Sequence, residues 1–183
     1  MIEPGDALTE LLACAGTAFA AVGGAEARQG TRTRIVIRRA TITDVDAVIA
    51  RLHPSDAAEA AMVVKDLRRA LRWAFAASLI PPKAALVDGD LAALWGLCRL
   101  AFPNTGEPWL MTGRAAGRVP LAFARIARRE LAAMLAVKPR LESCVAADNT
   151  KALRLLAALG FHSDEPVTIG PKRALFRRFW IEA

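Results

Sequence analysis

Residues 113–120, Gly-Arg-Ala-Ala-Gly-Arg-Val-Pro, have the make-up of an anion-binding turn. Glycine lets a ligand come close to the backbone, and Arg114 and Arg118 supply positive charge on either side of Gly117. A helix is predicted to follow from residue 120. Its first turn would add free N–H groups and the positive end of its dipole. An ordinary tight turn satisfies the same pattern. A second polar step, Asp148-Asn149-Thr150, separates a predicted strand from a helix rich in alanine and leucine, and Asp148 or Asn149 is its cap.

Metal and nucleophile chemistry are poorly supplied. The three cysteines, Cys14, Cys98 and Cys144, are scattered and never in metal-ligand spacing, as expected of reduced thiols in a cytosolic protein. Neither His53 nor His162 has a ligand partner nearby in sequence, so neither a metal site nor a histidine-based triad is expected.

The chain has 183 residues, 54% of them hydrophobic and 23% charged, which fits one domain with a proper core and excludes a disordered chain. Its net charge is +7, and the excess is nearly all arginine. Such a surface attracts phosphate-bearing ligands, nucleic acid or an acidic partner, unless the arginines only mirror a GC-rich genome.

The elements that must position these residues follow from periodicity. Asp6 is expected to cap a helix carrying Leu8, Leu11, Leu12 and Phe19, ended by Gly23-Gly24, with 25–33 as a linker. That segment lacks a basic leader and is too weakly apolar to be a signal peptide or a membrane span. Residues 34–39 form a strand, then a helix starts at Thr43 or Asp44, and a second runs from Ser55 to about Ser78. Residues 84–102 are two strands around Asp88-Gly89, a hairpin turn signal. A strand over 109–112, a helix over 120–137, a strand over 142–147 and a helix over 149–159 follow, the last stopped by Gly160-Phe161. Two strands around Gly170-Pro171 close the chain. The fold class is therefore α/β (α+β), a mixed and mostly antiparallel sheet with helices on both faces.

This order of elements, with Asn149, Ala152, Leu159, Gly160 and Phe161 as N-x-x-A and the Gly-Phe stop, resembles the GCN5-related N-acetyltransferase (GNAT) superfamily. The strand Ile37-Arg38-Arg39-Ala40 with Thr43 and Asp46, and the hairpin over 86–97, fit its opening. The resemblance divides the chain into an N-terminal helix and linker over 1–33 and a GNAT-like domain over 34–183. It implies acetyl-coenzyme A as cofactor, in a wedge between the fourth and fifth strands, held by Arg114, Gly117, Arg118 and Asn149. Two departures weaken that implication. Val119 is branched where the family's loop needs a minimal residue, and Pro120 lacks an N–H. Losing one such charge-assisted donor costs about 1.5–3 kcal/mol. The family's tyrosine general acid falls on Leu156, and the chain has no tyrosine, so the catalytic residue is unassigned. Cys144 or Ser143 stands nearest as a substitute, and Glu107 as a general base.

A narrower pattern, Trp109-Leu110-Met111-Thr112 followed by Asn149-Thr150, Arg154, Leu156, Leu159, Gly160 and Phe161, is similar to acetyltransferase-like internal virion proteins of short-tailed bacteriophages. It implies a phage protein of degenerate catalysis, made in the bacterial cytoplasm and carried in the virion, with other virion proteins as partners through the N-terminal helix. The alternative is an active N-acetyltransferase acting on an amine. A homo-oligomer, and nucleic-acid binding through Arg68, Arg69, Arg72, Arg125, Arg128 and Arg129, stand beside these; no membrane partner is expected.

Overall fold

The computed structural model describes residues 33–170 and 172–183; the helix expected over 6–22 lies outside them. The first described strand, β1 (Ile35–Arg39), is β-branched and pairs antiparallel with β2 (Lys83–Val87). Between them run three helices, α1 (Ile42–Ala50), α2 (Pro54–Val63) and α3 (Leu67–Ala77). Thr41, rather than Thr43 or Asp44, opens α1: its N–H donates to the Asp44 carboxylate at 2.7 Å, closing a capping box. The single helix expected over 55–78 is two. Asp66 accepts from the Arg69 N–H at 3.0 Å and starts α3, so the backbone breaks at Val64.

The sequence β2, turn, β3 (Asp90–Arg99) is the expected hairpin, with Asp88 at φ 52° and Gly89 at φ 88°, the pair of positive values that a tight two-residue turn demands. β4 (Thr105–Thr112) begins four residues earlier than the run Trp109–Thr112 suggests. Then come a short 3₁₀ helix (Arg114–Arg118), α4 (Pro120–Leu135), β5 (Arg140–Ala146) and α5 (Thr150–Ala158). β6 (His162–Ser163), which the sequence pattern does not suggest, precedes β7 (Val167–Ile169) and β8 (Ala174–Glu182).

The sheet order is β1-β2-β3-β4-β5-β8-β6, with β7 also on β8. Every pair is antiparallel except β4 with β5. Alternation along β3 sends Leu94 and Cys98 to a core with Val45, Val48, Leu71 and Ala74 of α1 and α3. The intervening Trp95 and Leu97 join Phe123, Leu131 and Leu156 of α4 and α5 on the other face. α2 sits apart from both, its Val63 packed with Ala146 and Phe176 over β5 and β8.

Candidate functional site

The site is a split in the middle of the sheet. β4 and β5 are paired only at Thr105–Arg140 and Gly106–Leu141, and beyond that they diverge. Thr112 turns its N–H and C=O away from β3, so alternation puts Gly106, Pro108 and Leu110 on the same edge, facing β5. The first donor needed after Gly106 is therefore Pro108, which has none. The parallel ladder stops where proline removes its next hydrogen bond.

One helix spans the open end. From the β4 lip, the Thr112 N–H and hydroxyl both donate to Asp56 Oδ2 at 2.7 Å. From the β5 side, the Ala146 N–H donates to Glu59 Oε1 at 3.2 Å and the Asn149 side-chain amide to Oε2 at 2.8 Å. Both acids belong to α2, and both are buried, at 0% and 2% exposure. Burial raises the Asp56 carboxyl to about 7 and the Glu59 carboxyl to about 8, against the opposing pull of their donors. At the start of α2 the His53 N–H donates to the Thr112 carbonyl at 2.8 Å, and His53 Nδ1 accepts from Ser55 N–H at 3.3 Å. Burial, then Lys151 and Arg114, lower the His53 pKa. A cavity of about 280 Å³ opens here between His53, Glu59, Met62, Asn149 and Lys151.

Asp56 and Glu59 are not among the residues that the sequence reading singles out. The available signal is their spacing: with Ala60 and Val63 they recur on one face of α2, an acid pair on the apolar side of a helix.

The turn after β4 is not an open glycine loop but the tight-turn alternative that the same sequence pattern allows. It is a 3₁₀ helix, and its donors are largely occupied. The Gly113 N–H goes to Ala92 O at 2.8 Å and the Arg114 N–H to Arg51 O at 3.1 Å. Those of Ala116 and Val119 go to Gly113 O at 3.0 Å and Ala116 O at 3.2 Å. Arg118 pairs with Asp90 across an exposed surface. Gly117 has open space around its Cα: a methyl group there would meet no atom within 4 Å. Asn149 caps α5, accepting from the Ala152 N–H at 3.2 Å while donating to Glu59. Of the four residues that the resemblance assigns to the cofactor, Arg114 and Asn149 thus come to the split, and Arg118 turns to β3.

At the closed end lies Glu107, 6% exposed, with the Ser143 hydroxyl donating to Oε1 at 3.4 Å. Burial drives its carboxyl well above the usual range. Burial, and next the Glu107 charge, push the neighbouring Cys144 thiol up to about 11, so it is a neutral thiol near pH 7. Leu156 is 3% exposed within the α4–α5 core. The six arginines considered for nucleic acid are divided between α3 and α4, which cover opposite faces of the sheet. Arg68 and Arg72 are tied to Asp46 and Arg129 to Glu130. Among the described residues there is no cluster of three metal-ligating side chains, and no helix is long and apolar enough to cross a membrane.

A mixed sheet parted between its fourth and fifth strands, with α4 and α5 on one face, is the architecture of the GCN5-related N-acetyltransferases, and solved structures bear this out. A ribosomal-protein-alanine N-acetyltransferase from Brucella melitensis is similar with a TM-score of 0.60 at 20% identity, over 81% of this chain and 99% of that one. An acetyltransferase from Salmonella typhimurium, solved with its cofactor acetyl-CoA, gives 0.59 at 18% identity over 81% and 94%. A spermidine N-acetyltransferase from Vibrio cholerae, in complex with CoA and spermine, gives 0.59 at 13% over 81% and 95%. No protein-family model and no curated protein sequence matches the chain. The chain has the GNAT fold.

Proposed function

We propose that this protein keeps the GNAT fold without acetyl transfer and works as an interaction protein associated with a bacteriophage virion. One observation carries the loss of catalysis: the fate of the N–H groups at the end of β4. Thr112, Gly113, Arg114, Ala116 and Val119 all donate within the protein, and Pro120 has no N–H. The residues present therefore fit a coenzyme A pyrophosphate poorly, since it would have to displace bonds already made. Leu156, buried where the family's tyrosine stands, supports the same conclusion. The likeness of Trp109–Thr112 and of the Asn149–Phe161 segment to virion proteins supports the phage assignment. Such a protein would be made in the bacterial cytoplasm and join other virion proteins through its N-terminal segment.

Thermal unfolding with millimolar acetyl-coenzyme A tests the first half. Ligand at 100 times its dissociation constant adds about 2.7 kcal/mol, which is about 5–11 °C in a domain of this size. No shift is expected, and a shift of that order would overturn the proposal. For the second half, deleting residues 1–30 should abolish incorporation into particles; particles that carry the truncated protein would argue against it.

Glu107 favours a second reading, an N-acetyltransferase acting on an amine. A buried carboxyl at the vertex of the split, with its pKa raised, is poised to take the proton of an attacking amine. In that reading Arg114, Gly117, Arg118 and Asn149 hold acetyl-coenzyme A. Its test is amine acetylation that Glu107→Gln abolishes while cofactor binding persists.

A further inference from the structure

We propose that the N-terminal segment of this chain docks in cis on a basic groove between β1 and α4. Among the described residues β1 is the edge of the sheet and pairs only with β2. Its Ile35 and Ile37 pack against the α4 core but remain half-buried, and with Ile80, Pro81 and Ala133 they form an apolar floor. The groove measures about 660 Å³ and is rimmed by Arg39, Lys83 and Arg129. Lys83 and Arg129 share one carboxylate, Glu130. No hydrogen bond or ion pair of the Arg39 side chain is found among the described residues. Among the described residues the rim is thus short of negative charge over an uncovered apolar floor.

The occupant is named by charge and by where the chain goes. Residues 1–22 carry Glu3, Asp6 and Glu10 and no lysine or arginine, in a protein of net charge +7. The helix that the sequence predicts there offers Leu8, Leu11, Leu12 and Phe19 to the floor and its acids to the rim. The described chain starts at Thr33, two residues before Ile35, which itself lines the groove. A helix over 6–22 would be about 25 Å long, and a linker over 25–33 reaches up to about 30 Å. That is ample to fold back along α4. The docking goes beyond the proposed function and is independent of which reading of it holds. A segment held this way reaches another protein only by competition with its own groove.

The native Cys14 permits a direct test in the full-length chain. Ala133→Cys places a thiol in the groove, and a short bismaleimide is applied to micromolar protein. The product expected is a 14–133 link within one chain, absent from a Cys14→Ser control. Glu10→Lys or Arg129→Glu should each reduce the link severalfold, and the two together restore it. An unchanged unfolding midpoint in Ala133→Cys shows that the probe leaves the fold intact. Absence of the link, or links only between chains, would overturn docking in cis.

Discussion

The side-chain amide of Asn149 donates to Glu59 Oε2 at 2.8 Å, across 90 residues of sequence, and ties the start of α5 to α2. Asp56, one turn earlier on α2, holds Thr112 on the opposite lip. The two acids make α2 a clasp over the split between β4 and β5.

Glu59→Ala should destabilise the protein by about 1–3 kcal/mol, because it leaves the Ala146 N–H and the Asn149 amide without their buried acceptor. Asp56→Ala should cost a similar amount through Thr112. Both acids grip one helix, so the double variant should deviate from additivity by about 0.5–3 kcal/mol. Urea unfolding of the three variants measures this, and strict additivity would dissolve the clasp into two separate contacts.

Stability should fall as pH rises through the range 6–9. Burial raises Asp56 to about 7 and Glu59 to about 8 in the folded protein, above their ordinary values of 3.8 and 4.5. Acids raised by folding contribute stability that is complete below the unfolded pKa and is lost as pH climbs through the folded one. The urea midpoint should therefore decline from pH 6 to pH 9. Asp56→Asn with Glu59→Gln should flatten the decline, and a wild-type midpoint that rises across this range would contradict it.

Gly113 and Gly117 should respond oppositely to alanine. A Cβ on Gly113 would stand 2.6 Å from the Leu91 carbonyl oxygen, so backbone must move, at about 1–3 kcal/mol. Gly117 has room for one and does not need a positive φ, so alanine there should be neutral or stabilise by about 0.4–1 kcal/mol. Thermal unfolding of the two variants checks the contrast.

Leu156→Tyr should not create an acetyltransferase. Leu156 packs at 3% exposure against the α4–α5 core, where a larger ring costs about 1–3 kcal/mol in strain. It also leaves the donors after β4 as occupied as before. The expected outcome is a lower unfolding midpoint with no acetylation of amines, assayed with acetyl-coenzyme A in excess.

Much of the fold is legible in the sequence because its signals are local. The turn at Asp88-Gly89, the Asn149 cap and the Gly160-Phe161 stop each act within a few residues. At the stop, the Phe161 N–H donates to Leu156 O at 3.0 Å and the Gly160 N–H to Ala157 O at 3.0 Å, with Gly160 at φ 94°. The break in the helix expected over 55–78 has a local cause as well. Asp66 prefers to cap, and an apolar repeat on both sides conceals it.

The candidate site is legible only in part. Arg114 and Asn149 stand out, but the glycines near Arg114 fit an open cradle as well as a tight turn, and only packing shows that the chain closes a 3₁₀ helix on its own carbonyls. Sequence alone determined the Asp88-Gly89 turn, the Asn149 cap and most of the order of elements, since each depends on backbone preferences of neighbouring residues. It did not determine the Thr41 cap, the break between α2 and α3 or the strand β6. Tertiary structure decided that Pro108 would face β5 and part the sheet, and that Asp56 and Glu59 would bridge the gap. It also decided that both acids would lose water. Those outcomes depend on which groups meet across 56 to 90 positions and on how deeply they are buried, quantities that exist only once the chain has packed.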